Sequence, residues 1–263
     1  MFGSKLNEEV SVFISGQQLS GIETFDISYS NSSSIIKPLG TSKGVTATAS
    51  PSEQKVSFSR YLIYDDPILD YTGESNMSGS INYDSNSYGF ESGYLLNYSV
   101  NCAVGNVPRV NADFFVLDEF VTGSKDASGS VAHPSIDIPS QGSISITCDK
   151  STTNRVLGFD YSLTCERIGH YTIGSNNAVD VELVPPVSYK ASVQIEIDDS
   201  FLQNGYSFLQ NRENKTVSFN INGRGGNSIQ SLSIPQASLV SENLSMSSQG
   251  SLQLTLNYIG HGF

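Results

Sequence analysis

Val10-Ser11-Val12-Phe13-Ile14-Ser15-Gly16, with Phe25-Asp26-Ile27-Ser28-Tyr29 a short distance on, decides how the rest of the chain is read. Val10, Val12 and Ile14 recur at every second position, as do Phe25, Ile27 and Tyr29. A period of two puts each set on one face of a strand. Ser15-Gly16 between the two runs reads as a turn. Further strands are expected at Val45–Ala49, Val56–Tyr64, Gly79–Tyr83, Leu95–Val104 and Val110–Leu117. A Ser-, Gly- and Pro-rich stretch, Val121–Gln141, then reads as a linker. A second series follows it: Ile144–Cys148, Phe159–Cys165, Val179–Val184, Ala191–Ile197, Val217–Ile221, Ala237–Leu244 and Leu252–Ile259.

The two series superimpose. A shift of 134 residues aligns positions 11–65 with 145–199 without a gap and gives nine identities in 55 positions, among them Phe25/Phe159, Asp26/Asp160, Gly40/Gly174, Val45/Val179, Pro51/Pro185, Ile63/Ile197 and Asp65/Asp199. Identity at that level is weak, but the matches fall at the same points of strands and turns, and Val10/Ile144, Val12/Ile146 and Leu39/Ile173 keep the apolar face. After Tyr64, Asp66-Pro67-Ile68-Leu69-Asp70-Tyr71-Thr72-Gly73 has an acid placed to cap, Pro at the first helical position and Gly at the exit. Asp199-Ser200-Phe201-Leu202-Gln203-Asn204-Gly205 stands at the matching place. Beyond it the copies differ by about eleven residues, a change surface loops tolerate, before Leu95/Val240 and Gly105/Gly250 return to line. The expected organisation is all-β: a first module over 1–123, a linker over 124–142 and a second module over 143–263, each module with one short helix.

Composition agrees with many short strands and turns. Charged residues are only 15% of the 263, Ser, Asn, Gly and Tyr are plentiful, and Trp is absent. Ser and Asn compete with helical hydrogen bonding, so long helices are not expected. Met1 to Glu9 lacks the apolar core of a signal peptide, and no stretch approaches the roughly 20 apolar residues that span a bilayer. A soluble, non-secreted protein is expected. The net charge is −12, with −8 in residues 1–130 and −4 in 131–263, and no basic stripe. Binding to nucleic acid through phosphates is therefore disfavoured.

No catalytic motif is found, and no catalytic residue, cofactor or metal ligand is assigned. His133, His170 and His261 fall in the linker, a loop and the C-terminal tail, without metal-ligand spacing. Gly223-Arg224-Gly225-Gly226 after Asn222 is expected as a hairpin turn rather than a phosphate loop. Asp65, Asp66, Asp70 and Glu74 lack the alternation of a calcium loop. Cys102, Cys148 and Cys165, an odd number without paired spacing, are expected as reduced thiols in the core. The aromatic run from Ser87 to Tyr98 suggests an interface between subunits.

Several parts in order resemble the tail-tube, or major tail, proteins of long-tailed bacteriophages. They are Val10–Gly16 with Phe25–Ser28, Ser57–Ile63 through Tyr71-Thr72-Gly73, Gly89-Phe90 through Val104-Gly105-Asn106-Val107-Pro108, and the closing Ser251–Leu256. The resemblance implies β-sandwich or half-barrel modules with a short helix, whose inner sheets join between neighbours into a β-barrel around a channel. It also implies a structural virion protein rather than an enzyme. Two fused modules per chain would close the usual six-module ring with three copies, a homotrimeric, pseudo-hexameric ring. The implied partners are further copies of itself and the tape-measure, terminator and distal tail proteins. DNA would pass through the lumen without specific binding. The implied place is the phage tail, assembled in the host cytoplasm with no membrane involved. Residues 66–80 and 200–216, the N-terminal arm and Gly260–Phe263 are expected to reach an adjacent ring. A carbohydrate-binding or adhesin sandwich, or another virion ring or capsid decoration protein, shares the composition.

Overall fold

Ser15 and Gly16 both take positive φ, 46° and 79°, the geometry of a two-residue hairpin turn. They fold β1 (Val10–Ile14) onto β2 (Gln17–Leu19), with Ile14 opposite Gln17. The structure is a computed structural model. It describes the chain from Val10 to Gly262 except residues 32, 38, 41–43, 49–51, 65, 84–85, 118–119, 123–136, 140–141, 149–150, 154, 198–214 and 247–250. Strands dominate the described residues and every pairing is antiparallel, so the all-β expectation holds. No helix among them is long and apolar enough to cross a membrane.

The first half continues with β3 (Ile22–Ser30), β4 (Ser33–Ile36), β5 (Val45–Thr48), β6 (Glu53–Tyr61), a 3-10 turn at Pro67–Tyr71, β7 (Met77–Tyr83), β8 (Asn86–Ala103), β9 (Arg109–Val116) and the short β10 (Val121–Thr122). The second half has β11 (Ile144–Cys148), β12 (Ser151–Thr153), β13 (Val156–Thr164), β14 (Arg167–His170), β15 (Asp180–Leu183), β16 (Val187–Glu196), β17 (Lys215–Asn222), β18 (Ser228–Met246) and β19 (Leu252–Gly262). In the first half one limb of sheet runs β2-β1-β7-β8 and the other β3-β6-β9-β8. In the second half the limbs run β12-β11-β17-β18 and β13-β16-β19-β18. β8 and β18 are the longest strands, at 18 and 19 residues, because each passes from one limb into the other. Both limbs contribute to one hydrophobic cluster, with Val12, Ile14 and Phe90 in one and Val56, Phe58 and Phe114 in the other.

Strand pairing places residues of the two halves in correspondence and moves part of the sequence alignment. β3 and β13 agree at a shift of 134, since Phe25 faces Phe58 as Phe159 faces Val193. The same pairs put β6 and β16 at a shift of 135, and β5 and β15 share it. The cause is the loop after β4, which has eight residues before β5 where its counterpart after β14 has nine before β15. Val45/Val179 and Ile63/Ile197 are therefore one residue out of register, and Pro51, Asp65 and Asp199 lie outside the described residues. Farther on, Leu95 faces Phe114 as Leu239 faces Tyr258, a shift of 144, and both strands bulge at the next residue, Leu96 and Val240.

Packing explains several local features. An added Cβ at Gly79 or Gly93 would lie 2.5 Å from the Phe90 ring, so the glycines on either side of that aromatic make room for it. Gly223–Gly226 is the hairpin turn between β17 and β18, with Gly226 at φ 82°. Residues 66–80 are not a long projecting loop. Pro67–Tyr71 is a 3-10 turn capped by Asp66, Met77 opens β7, and Ile68 and Met77 are buried in the core. The expected second helix and most of 200–216 lie outside the described residues, as does most of the linker. Gly260 is buried within β19 opposite Tyr189, so Gly260–Gly262 is strand rather than a free tail.

Candidate assembly surface

β8 joins the two halves. On one side its last residues pair with β9, and on the other with β13, so eight strands stand in one row: β3-β6-β9-β8-β13-β16-β19-β18. Alternation gives the row two unlike faces. Val56, Phe58, Val110, Phe114, Tyr98, Tyr161, Val193 and Leu256 point into the core. The opposite face carries hydroxyls and amides that bond across strands. Thr24 Oγ1 and Ser59 Oγ are 2.8 Å apart, Asn111 Nδ2 donates to Ser99 Oγ at 3.4 Å, and Gln194 Nε2 donates to Gln253 Oε1 at 2.9 Å. Corresponding positions bond alike: Asn97 Nδ2 donates to Asp113 Oδ2 at 3.3 Å, and Asn257 Nδ2 donates to Ser241 Oγ at 2.8 Å. Asp26, Asp113 and Asp160 share this face with Lys55, Arg109 and Lys190, and Tyr61 and Ile259 stand on it 41% and 38% exposed, so it is mainly polar with acids and bases interspersed.

The joint between the halves is a regular ladder. Phe159 faces Cys102, Asp160 faces Asn101, Tyr161 faces Val100, Ser162 faces Ser99 and Leu163 faces Tyr98. The β14–β15 hairpin then folds back over the first half. Cys165 N donates to the Leu96 carbonyl at 2.8 Å, Arg167 Nε to the Leu95 carbonyl at 2.8 Å, and the Arg167 guanidinium lies 5.2 Å from the Tyr94 ring centre. Ser52 N donates to the Asn176 carbonyl at 2.9 Å. At the ends of the row, among the described residues, β3 pairs only with β6, and the second part of β18 only with β19.

The aromatic run from Ser87 to Tyr98 lies mostly inside the chain. Phe90, Leu95 and Tyr98 are core, Tyr94 packs under Arg167 and Tyr88 is 44% exposed, so most of the aromatic side chains of this stretch pack within the chain.

Asp66 belongs to a buried polar cluster. Its Oδ1 accepts from Ile68 N at 3.0 Å, and Oδ2 accepts from the Tyr98 hydroxyl at 3.0 Å and lies 2.9 Å from Arg60 Nη2. Its own N donates to Gln230 Oε1, from β18 of the second half, at 3.2 Å. Arg60 is fully buried with its guanidinium 4.8 Å from the Tyr64 ring centre. Burial pulls the Arg60 pKa down, but Asp66 and its neighbours outweigh this and raise it. Burial first, and then the Asp66 carboxylate, push the Tyr98 hydroxyl well above the ordinary tyrosine value. Asp66 is thus a cap and counter-ion. Asp70 and Glu74 are exposed, and Asp65 lies outside the described residues.

No group of three or more His, Cys, Asp or Glu able to hold a metal occurs among the described residues. His170 is on β14 rather than in a loop, its Nε2 3.0 Å from Glu182 Oε2, so it does have a carboxylate partner. His261 is on β19 opposite Ser188. Cys148 and Cys165 are buried thiols, while Cys102 is half-buried at the joint, with burial raising its pKa to about 11. The buried Arg60 escaped the sequence reading. The signal available was a cation in the apolar alternation Val56, Phe58, Arg60. No protein-family model matches the chain, and no curated protein matches it at a significant level.

Proposed function

We propose that the chain is a structural subunit of a virion, built of two fused tail-tube modules, that polymerises through stacked rings into the tube delivering phage DNA. The observation that carries this reading is the eight-strand row with a polar face and an open edge at each end. Pairing one open edge with the other on the next copy would satisfy both, and an unpaired long edge is otherwise prone to uncontrolled association. Each half contributes four strands, so three chains make a 24-strand barrel, roughly 45–50 Å between opposite backbones at usual strand spacing and tilt. The second limb of each half covers the apolar face of the row, which leaves the hydroxyl and amide face for the lumen. A surface of Ser, Asn, Thr and Gln, with carboxylates interspersed among Lys55, Arg109 and Lys190 rather than a basic stripe, gives a sliding polyanion little to hold. Catalysis has no part in this function. The row and its two open edges also bear on the neighbours proposed for a tube end, the terminator and distal tail proteins, which would meet the same ring.

The test is negative-stain microscopy of concentrated protein. Hollow tubes with a regular axial repeat are expected. Dispersed monomers that bind an array of glycans would support an adhesin instead, and closed rings that never stack would support another virion ring protein.

A further inference from the structure

β3 and the second part of β18 are related to the joint inside the chain by the correspondence of the two halves. β3 is the counterpart of β13, and residues 241–246 of β18 are the counterparts of residues 97–102 of β8. β13 and β8 pair within the chain, whereas β3 and residues 241–246 of β18 sit at opposite ends of the row, with no strand paired on their outer sides among the described residues. Transferring the register of the inner joint puts Phe25 opposite Met246 as Phe159 is opposite Cys102, Ile27 opposite Leu244 as Tyr161 is opposite Val100, and Ser28 opposite Asn243 as Ser162 is opposite Ser99. Apolar meets apolar at Phe25/Met246 and Ile27/Leu244 and polar meets polar at Asp26/Ser245, Ser28/Asn243 and Ser30/Ser241, while Tyr29 comes opposite Glu242 as Leu163 is opposite Tyr98. Exposure marks the missing partner: Ile27 is 41% and Leu244 50% exposed, where Tyr161 is 3% and Val100 0%.

The hairpins give a second, independent sign. β14–β15 lies across the first half, held by the Cys165 and Arg167 bonds to Leu96 and Leu95. Its counterpart β4–β5 is likewise a two-stranded hairpin among the described residues, but Ile35 and Ile36 stand 66% and 54% exposed.

We infer that β3 of one copy pairs antiparallel with residues 241–246 of β18 of the next, in the register Ser28 opposite Asn243, and that the β4–β5 hairpin folds over that neighbour as β14–β15 folds over the first half. The partner is a second copy of this chain, joined head to tail. Such an interface leaves a new open edge after each addition, so it continues until the ring closes. The inference rests on the reading of the chain as a ring subunit and adds which residues meet.

The test is disulfide trapping in a Cys102→Ser background with the oxidant diamide, imaging the same samples. Ser28→Cys with Asn243→Cys places the thiols opposite each other. Asp26→Cys with Ser241→Cys displaces them by four residues and is the control. All four positions are exposed or on the open edge, and circular dichroism checks that the variants are folded. The expected result is a ladder of linked dimers and trimers for the first pair, forming about tenfold faster than for the displaced pair, because a disulfide needs its Cβ atoms about 4 Å apart. Equal linking by the displaced pair, or linked dimers from Ser28→Cys alone, would overturn the register, even if tubes are seen. In-register linking without rings or tubes would uphold the pairing and reject the tube. Neither linking nor tubes would overturn both.

Discussion

Tyr161 of β13 lies opposite Val100 of β8, and both side chains are buried where the two halves of the chain meet. Their counterparts, Ile27 and Leu244, lie at the two open ends of the eight-strand row. A charge introduced at the inner joint and one introduced at the outer edge should therefore act differently. Val100→Asp buries an unpaired carboxylate and should cost about 4 kcal/mol or more. Leu244→Asp should change monomer stability by less than about 0.5 kcal/mol yet abolish assembly. Urea unfolding and sedimentation velocity on the two variants separate the effects.

Removing the Asp66 carboxylate leaves Arg60 charged, buried and without its counter-ion, and takes away the cap of the 3-10 turn. Asp66→Ala should destabilise the fold by about 3–5 kcal/mol, read as a lower midpoint in urea. Asp70→Ala, on the exposed side of the same turn, should be close to neutral.

The Tyr98 hydroxyl carries an alkaline dependence of stability. Its pKa is raised in the folded chain, while in the unfolded chain it ionises near the ordinary value of about 10. The stability it contributes is complete below that value and is lost as pH rises toward the folded pKa, because the unfolded state gives up the proton first. Tyr98→Phe should lower stability at neutral pH by about 1–2 kcal/mol, through the lost bond to Asp66, and should flatten the decline above about pH 10. Thermal melts from neutral pH to pH 11 measure both.

Excision of residues 69–77, attractive if 66–80 were a projecting loop, should instead unfold the protein. It removes part of the 3-10 turn, the buried Met77 and the start of β7. A subtler change makes the same point at Gly79, where a methyl group would meet the Phe90 ring. Gly79→Ala should cost about 1–3 kcal/mol unless that ring moves. Loss of folded chain in circular dichroism, rather than loss of tubes alone, is the expected readout of the excision.

Period-two alternation made most strands legible, and Ile144–Cys148 falls on β11 at both ends. Ser33–Ile36 and Arg167–His170 were missed because short strands of a separate hairpin need no continuous apolar face. The first part of β8 lies outside the expected Leu95–Val104, because Gly89 and Gly93 interrupt the apolar alternation there while serving close packing around Phe90. The correspondence of the halves was legible through Ile36. It then slipped by one residue, because Gly40/Gly174 and Val45/Val179 are identities across a loop that differs in length by one. Such a slip reverses the face of a strand: under the ungapped alignment buried Val56 would match exposed Lys190, whereas the pairing matches it to buried Ala191. Asp66 was recognisable as a cap from Asp66-Pro67, but its bond to Gln230 spans 164 residues and leaves no local trace. The polar face could be seen strand by strand. That eight strands from both halves share it depends on β8 meeting β13, a long-range pairing.

The most direct test of the proposed role is a cryo-electron microscopy reconstruction of the purified assembly. The account predicts a tube whose every ring contains three whole chains, with 24 strands around a lumen lined by Ser28, Asn97, Asn111, Asn243 and Asn257. Six whole chains per ring, or a lumen lined by other faces, would contradict it.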